Sequence, residues 1–201
     1  MASRDTGGDD EDPVVVSVHA YSAHAEAYAR TFAHHKLDKP AAFAALLDVP
    51  SRILDAGCGP GRDLGIFAEH GHEAVGFELN PEFAAMANRR APTVCGDLRN
   101  VAENFREGSF DGVWAQASLV HLSEAETVDV VAQLARLLRP GGRFFTCVKS
   151  AGETGWLDEP DGLRWYTVWE PPQFGSLVAA AGFEVDELHP GPYLEVWATR
   201  R

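Results

Sequence analysis

The residues best suited to chemistry are Asp55 and the glycines that follow it, Gly57, Gly59 and Gly61. A short apolar run precedes Asp55 and a helical pattern begins near Arg62, so the segment predicts a strand, a tight loop and a helix. Glycines at alternate positions let the backbone approach a ligand closely, because no Cβ intervenes. A carboxylate at the start of this loop repels a pyrophosphate and suits a ligand with an ammonium or sulfonium group.

The spacing of these glycines disfavours a dinucleotide-binding loop. In the G-x-G-x-x-G fingerprint, the third glycine lies three residues after the second and permits close packing of helix on strand. Counted from Gly57 and Gly59, that position holds the long side chain of Arg62. An NAD(P)-dependent reductase is therefore disfavoured.

Two more acids follow the next two apolar runs. Glu78 ends the second run, where an acid at this distance from the glycine loop accepts hydrogen bonds from the two ribose hydroxyls of an adenosine. Asp97 follows the third run, although an ordinary turn capped by its side chain is the alternative there. Ligands of open α/β sheets bind beyond the carboxyl ends of the strands. The series Asp55, Glu78 and Asp97 therefore predicts one binding site.

Hydrophobic spacing and turn residues predict the elements that position these acids. Helical patterns alternate with strands, which are expected at about residues 51–55, 73–77, 92–95, 110–115, 143–148, 183–188 and 193–199. The last two are joined too tightly for a crossover and are expected to pair antiparallel. The fold class is therefore α/β: a doubly wound, mostly parallel seven-stranded sheet with the last strand antiparallel and helices on both faces.

Length and charge indicate one domain behind an acidic tail. Residues 1–13 are acidic with almost no apolar content and are expected to be disordered. Residues 14–201 are predicted to form the domain, with residues 14–48 as an N-terminal helical lid that includes a helix over residues 19–34. The net charge of −13 argues against a partner that is a nucleic acid or an anionic membrane, since both need basic surface.

The cysteine and histidine residues predict no metal. Cys58, Cys95 and Cys147 lack the spacing of metal ligands and indicate reduced thiols. The pair His34-His35 is interpreted as an exposed helix end. No segment has the pattern of a signal peptide or a membrane span, so a cytoplasmic protein is expected.

The Asp–x–G–x–G–x–G turn resembles the first motif of the class I S-adenosylmethionine-dependent methyltransferases. A Pro-Gly-Gly turn at residues 140–142 and a closing Ala-Gly-Phe at 181–183 are similar to that family as well, and the resemblance runs from Tyr21 to Trp197. It implies S-adenosylmethionine as the cofactor, with Asp97 accepting from the adenine amine. The expected cofactor-binding residues are Tyr21, Tyr28, Asp55, Gly57, Cys58, Gly59, Gly61, Arg62, Glu78, Leu79, Asn80, Gly96, Asp97, Leu98, Gln116 and Ala117.

The acceptor is expected beyond the fourth strand, where His121 is the candidate catalytic base. A histidine that only bonds loop backbone or cofactor is the alternative. Tyr21 of the lid and Arg62 after the glycine loop are expected to bind the methionine carboxylate, although the tyrosines of the N-terminal helix equally suit core packing. The Trp-rich segment 156–169 is interpreted either as a wall of the acceptor pocket or as core.

Together these residues predict transfer of a methyl group to an O, N, S or C nucleophile of a small molecule by direct displacement. The protein is expected to be a monomer or a homodimer. Two alternatives stay open: transfer to tRNA or protein, and a protein that binds S-adenosylmethionine without catalysis.

Overall fold

The computed structural model describes residues 11–33, 37–160 and 162–201. Its helices are α1 (Pro13–Ser22), α2 (Ala25–Phe32), α3 (Asp38–Ala44), α4 (Arg62–Glu69), α5 (Pro81–Ala87), α6 (Glu124–Leu137) and α7 (Pro171–Ala180). Its strands are β1 (Arg52–Ala56), β2 (Glu73–Glu78), β3 (Thr93–Cys95), β4 (Phe110–Gln116), β5 (Leu138–Lys149), β6 (Gly155–Glu159), β7 (Gly162–Tyr166), β8 (Phe183–His189) and β9 (Tyr193–Arg200).

A seven-stranded sheet has the order β3-β2-β1-β4-β5-β9-β8. Neighbours from β3 to β5 are parallel, whereas β9 runs antiparallel to both β5 and β8. This confirms the predicted fold class. The strand order reverses between β1 and β4, and open α/β sheets bind their ligands at such a switch point.

Apolar layers cover both faces of the sheet. Successive residues of a strand point to opposite faces, and β4 shows this directly. Val113 belongs to the layer that contains side chains of α6 and α7. Trp114 belongs to the layer with α3 and α4 and stacks on Phe145 at a centroid distance of 4.0 Å. The carboxyl ends of the central strands are therefore held on a rigid, two-sided core.

The segment after β5 is more regular than the sequence indicates. Strands β6 and β7 form an antiparallel hairpin outside the large sheet, with Trp156 opposite Trp165. The hairpin docks on α1, because Trp165 N donates a 2.9 Å hydrogen bond to Ser17 Oγ. The hairpin therefore lies beside α1.

The N-terminal helices depart from the predicted boundaries. The helix expected over residues 19–34 is instead two helices, α1 and α2, separated at Ala23 and His24. His24 has a φ of −132°, which is outside the helical range. The predicted interpretation of His34-His35 falls outside the described residues.

The predicted tail also extends too far. Asp12 is the N-cap of α1, since its side chain accepts a 2.9 Å hydrogen bond from Val14 N, and Pro13 occupies the first turn. Asp12 also contacts Arg99 at 2.7 Å. An Asp-Pro pair is a helix-start signal that the acidic composition of the segment concealed. Asp12 and Pro13 therefore belong to the start of α1 instead of to a disordered segment.

Asp12→Ala is expected to lower the free energy of unfolding by about 1 kcal/mol, the usual cost of losing an N-cap. The partly exposed ion pair with Arg99 adds little to this. Urea denaturation of the variant measures the change, with Glu11→Ala as the control because Glu11 is exposed and precedes the cap. Equal stability of the two variants would show that Asp12 does not anchor α1.

Candidate functional site

The loop between β1 and α4 is shaped by its glycines. Gly57, Gly59 and Gly61 have φ values of 77°, 54° and 83°, in the left-handed region that glycine adopts without strain. A Cβ on Gly57 would lie 2.3 Å from Ser118 Cβ, whereas one on Gly59 would meet nothing within 4 Å. The loop therefore packs against the end of β4 at Gly57 and faces open space at Gly59.

Asp55 is a buried and poorly compensated carboxylate at the end of β1. Only 2% of its surface is exposed, and its Oδ2 has no hydrogen-bond partner among the described residues. Burial raises the pKa of Asp55 well above its usual value, and the neighbouring Asp63 and Glu78 act in the same direction, against Arg62. A cation placed here removes this electrostatic cost.

Glu78 at the end of β2 links the glycine loop to the start of α5 through two hydrogen bonds. Its Oε2 accepts a 2.7 Å hydrogen bond from Gly59 N, and its Oε1 accepts a 2.8 Å bond from Asn80 N. Burial raises the pKa of Glu78. Each carboxylate oxygen accepts more than one hydrogen bond, so these contacts are compatible with further donors from a ligand.

Asn80 joins the lid to this part of the site. Its Oδ1 caps α5 by accepting from Glu82 N and Phe83 N, while its Nδ2 donates to Val18 O and Ser22 Oγ of α1. The side chain is only 1% exposed. One residue therefore fixes both the start of α5 and the position of α1.

Asp97, after β3, is oriented by Arg99. Its Oδ1 accepts from Arg99 N at 2.9 Å, and its Oδ2 accepts from Arg99 Nη2 at 2.6 Å. The guanidinium also contacts Asp12 and Glu126. Arg99 therefore connects the predicted adenine site to the N-terminus of α1, a link without any signal in the sequence.

The backbone after β4 has a strained residue. Ala117 has a φ of 52°, which is uncommon for a residue with a Cβ. The neighbouring Gln116 Oε1 and Ser118 Oγ are buried without hydrogen-bond partners in the part of the chain that is described. Strain and unsatisfied acceptors at one position are typical of a binding site.

Helices α1 and α2 place two tyrosines beside the glycine loop. The rings of Tyr21 and Tyr28 meet edge to face at 5.2 Å, and Phe83 of α5 lies 6.0 Å and 5.4 Å from them. Burial raises the pKa of both tyrosines above their usual value. The two tyrosines thus border the crevice at the glycine loop and also pack against another aromatic ring. Cofactor binding and core packing are therefore compatible roles for them.

His121 is buried between the hairpin and the lid. Its Nδ1 lies 2.5 Å from Trp165 O, and its Nε2 lies 3.1 Å from Tyr21 Oη. A carbonyl accepts, so Nδ1 carries the proton and Nε2 accepts from the tyrosine hydroxyl. Burial lowers the pKa of His121 to about 4. The base role stays a prediction, while the geometry favours a residue that positions Tyr21.

Two adjoining cavities, of about 140 Å³ and about 360 Å³, occupy the crevice. The smaller cavity is lined by Glu78, Asp97 and His121, and the larger cavity is lined by Asp55 and Arg62. Both cavities are lined by Tyr21, Tyr28, Gly57, Gly59, Gln116 and Ala117. These shared residues make the two cavities the lobes of one site, which we call the inner lobe (140 Å³) and the outer lobe (360 Å³).

Most of the predicted residues line one lobe or the other, including Cys58, Leu79, Asn80 and Leu98. Gly61 and Gly96 do not. A Cβ on Gly61 would lie 2.7 Å from Ala87 Cα, and one on Gly96 would lie 2.7 Å from the Phe77 ring. These two glycines therefore serve close packing.

The outer lobe contains residues that the sequence does not single out. They come from β5, the hairpin and β9, and are Cys147, Glu159, Arg164, Tyr166 and Tyr193. The Trp-rich segment thus does wall the pocket, but through an arginine and a tyrosine. Trp156 is 44% exposed and lines neither lobe.

Comparison with known proteins decides the family. A family model described as a methyltransferase domain matches residues 54–146. An uncharacterized methyltransferase of Synechocystis, sll0829, is 30% identical over 148 residues, which are 69% of each chain. The chain belongs to the class I S-adenosylmethionine-dependent methyltransferases. The predicted family, enzyme class and cofactor are thereby confirmed.

Two further similarities place this methyltransferase among its relatives. Trans-aconitate 2-methyltransferase of Methylobacterium nodulans is 30% identical over 155 residues, 76% of this chain and 57% of that protein. The methyltransferase thus spans little more than half of that relative's length. A crystal structure of Burkholderia thailandensis 1,6-didemethyltoxoflavin-N1-methyltransferase superposes with a TM-score of 0.75 at 26% identity, covering 97% of this chain and 93% of that one.

The residues of the methyltransferase fit S-adenosylmethionine. Three buried atoms of the glycine-loop region that have no hydrogen-bond partner among the described residues, Asp55 Oδ2, Gln116 Oε1 and Ser118 Oγ, can accept hydrogen bonds. The cofactor offers a complementary set of donors, its ammonium group and its ribose hydroxyls. Across the described ranges, no helix is long and apolar enough to cross a membrane.

His121→Gln is expected to flatten the acid side of the stability curve of the methyltransferase. The pKa of His121 is about 4 when folded and about 6.5 when unfolded. Stability that is present above pH 6.5 is therefore lost as the pH falls towards 4. Over this pH range, the free energy of unfolding of the variant should fall by up to about 3 kcal/mol less than that of the wild type. Denaturation from pH 7 to pH 4.5 measures this, with exposed His189→Gln as the control; parallel curves for His121→Gln and wild type would contradict it.

Proposed function

We propose that the enzyme methylates a small molecule held in the outer lobe. The observation that carries this proposal is the continuity of the two lobes: Glu78 and Asp97 line the inner lobe, and the adjoining outer lobe extends from Asp55 to a group of aromatic rings. These rings are Tyr28 and Phe32 of α2, Tyr166 of the hairpin and Tyr193 of β9. A cavity of about 360 Å³ lined in this way suits a compact acceptor better than a polymer.

The site residues keep the roles predicted for them. Glu78 binds the ribose hydroxyls, Asp97 and Leu98 bind the adenine, and Asp55 faces the ammonium group. Arg62 donates two hydrogen bonds to Asp63, at 2.5 Å and 2.8 Å. Its guanidinium therefore contacts Asp63 and the methionine carboxylate at the same time.

Catalysis in this arrangement is mainly positioning. When bound, S-adenosylmethionine supplies a methyl group that is already activated by the sulfonium charge. The chain's own part is to hold the acceptor in line and to exclude water. His121 holds the Tyr21 hydroxyl, and Tyr21 in turn lines both lobes.

The names of two related proteins support a small-molecule acceptor. One acts on trans-aconitate, and the other was solved with 1,6-didemethyltoxoflavin and S-adenosylhomocysteine bound. We further propose a monomer or a homodimer, in which the chain from Asp12 onwards forms one domain and its part up to residue 48 forms a lid. A cytoplasmic location is supported by the free thiols of Cys58, Cys95 and Cys147.

Transfer from S-adenosylmethionine with a labelled methyl group tests this function. The enzyme is incubated separately with a small-metabolite extract, with RNA and with protein, and Asp55→Asn serves as the inactive comparison. We expect label only in the metabolite fraction. Label in RNA or protein would establish the macromolecular alternative, and S-adenosylhomocysteine binding without any transfer would establish a non-catalytic binder.

A further inference from the structure

Arg99 is a cation shared by three carboxylates from separate parts of the chain. Its Nε and Nη2 donate to Asp97 Oδ2 at 2.9 Å and 2.6 Å, so one edge of the guanidinium faces Asp97. Its Nη1 lies 2.7 Å from Asp12 Oδ2 and 3.0 Å from Glu126 Oε1. Arg99 itself lines neither lobe, whereas Asp97 lines the inner lobe. Asp97 therefore connects Arg99 to the space proposed for the adenosine.

The two acids at Nη1 are held in place by the helices that they start. Asp12 Oδ1 caps α1 by accepting from Val14 N. Glu126 Oε2 accepts from the backbone and the hydroxyl of Ser123 in the capping box of α6. Each acid thus uses one oxygen for its helix and the other for Arg99. We call Asp12, Glu126 and Arg99 the arginine clamp, because together they fix the direction of the edge that faces Asp97.

The clamp leaves Asp97 with one open acceptor position. A carboxylate has about four lone-pair sites, two on each oxygen. Oδ2 uses both for the Arg99 side chain, and Oδ1 uses one for Arg99 N. The site that stays open suits the 6-amino group of adenine, which is a hydrogen-bond donor.

A fixed carboxylate distinguishes adenine from hypoxanthine. Hypoxanthine has a carbonyl oxygen in place of the 6-amino group, and its nearest donor is the neighbouring ring N1–H. A carboxylate held in one orientation meets the carbonyl oxygen and repels it. A mobile carboxylate can turn to the N1–H instead. The orientation of Asp97 therefore decides how strongly the two bases are told apart.

We propose that Arg99 is a positioning residue that selects adenine by fixing the Asp97 carboxylate. The clamp makes this selection depend on the docking of α1, because Asp12 caps that helix and Val14 and Val18 of the same helix line the inner lobe. Without Arg99, three like charges face one another, and Asp97 loses its orientation. This inference rests on the proposed function, since it specifies how the adenine assigned to Asp97 is recognised.

Two ligands that differ only at position 6 of the base test the inference: S-adenosylhomocysteine and S-inosylhomocysteine. Their affinities for the full chain are measured by titration calorimetry. We expect the wild type to prefer S-adenosylhomocysteine by about tenfold to hundredfold, as a hydrogen bond to a charged acceptor gives. Arg99→Met should reduce this preference to about threefold or less, because Asp97 is then free to turn to N1–H.

The ratio of the two affinities separates positioning from a structural role. If Arg99 served stability alone, Arg99→Met would weaken both ligands equally and leave the ratio unchanged, which would overturn the proposal. Arg106→Met is the control and should keep the wild-type ratio, since Arg106 is exposed and lines neither lobe.

A double variant tests the clamp without changing Arg99 or Asp97. Asp12→Asn and Glu126→Gln retain the helix caps, because Asn and Gln serve at these cap positions too, but they remove the charges that hold Nη1. The double variant should reduce the base preference by about twofold to tenfold. An unchanged preference would overturn the role of the clamp. If Arg99→Met does not fold, the double variant and Arg99→Lys, which lacks the fork, decide the question.

The wild-type titrations separate this inference from the function on which it rests. Failure of the wild-type chain to bind S-adenosylhomocysteine would refute the proposed function. Binding of S-adenosylhomocysteine with equal or tighter binding of S-inosylhomocysteine would refute the selection of adenine through Asp97 and Arg99, while methyl transfer would stand.

Discussion

Asp55→Asn is expected to make the ligand-free protein more stable and its cofactor binding weaker. Asp55 is buried, its Oδ2 has no partner among the described residues, and Asp63 and Glu78 add repulsion. Removing the charge should raise the free energy of unfolding by roughly 1–3 kcal/mol at neutral pH. The same change removes a charge-assisted contact to the ammonium group, so affinity for S-adenosylmethionine should fall about tenfold to hundredfold.

The pH dependence of this effect has a definite sign. Burial raises the pKa of Asp55 in the folded protein, so its contribution to stability is greatest at low pH and is lost as the pH rises through that raised pKa. The stability difference between Asp55→Asn and wild type should therefore grow with pH. Wild-type affinity for the cofactor should fall as the pH is lowered, because the proton and the cation compete for one carboxylate.

Asp63→Asn is the matched control for this prediction. Asp63 is also buried, but it accepts from Arg62 and from Trp114 Nε1 at 2.9 Å. Its neutral variant should lower stability, the opposite of the effect at Asp55. Denaturation measures the free energy of unfolding of both variants, and titration calorimetry measures their affinity for the cofactor. A loss of stability in Asp55→Asn would show that the Asp55 carboxylate is stabilised by other groups in the ligand-free protein.

Glu78→Ala is expected to give the larger loss of cofactor affinity. It removes the acceptor for two ribose hydroxyls, at about 1–2 kcal/mol each, and so should weaken binding by roughly 30-fold to 1000-fold. It also leaves Gly59 N–H and Asn80 N–H without their carboxylate acceptor, which loosens the glycine loop.

Glu73→Ala separates this effect from a general loss of acidic charge. Glu73 is exposed at the opposite end of the same strand, β2, so its replacement should leave affinity within about twofold. Calorimetric titration with S-adenosylhomocysteine gives both values. Similar losses in the two variants would mean that the ribose lies elsewhere.

The three acids of the site were predictable because their positions follow a simple rule. Parallel strands end at one edge of the sheet, so acids that directly follow three successive strands must meet there. Asp55, Glu78 and Asp97 each end or follow a strand of this kind. Gly61 and Gly96 belong to the same motifs, but a glycine needed for packing and one needed for ligand approach look identical in the sequence.

The hairpin side of the outer lobe was not predictable from local patterns. Arg164 comes from a hairpin outside the large sheet, and its place depends on how that hairpin docks on α1 through Trp165 and Ser17. No spacing relates it to the glycine loop. The break between α1 and α2 has a similar origin: the Ala-rich sequence favours one helix, while packing of Tyr21 and Tyr28 around Phe83 accompanies a bend at His24.

A crystal structure of the complex with S-adenosylhomocysteine tests the central claim most directly. The claim is that the inner lobe holds the adenosine and that the outer lobe receives the acceptor. We expect both ribose hydroxyls within hydrogen-bond distance of the Glu78 carboxylate, the adenine beside Asp97 and Leu98, and the space around Arg164 outside the cofactor. An adenosine in the outer lobe, or a ribose without contact to Glu78, would contradict the account.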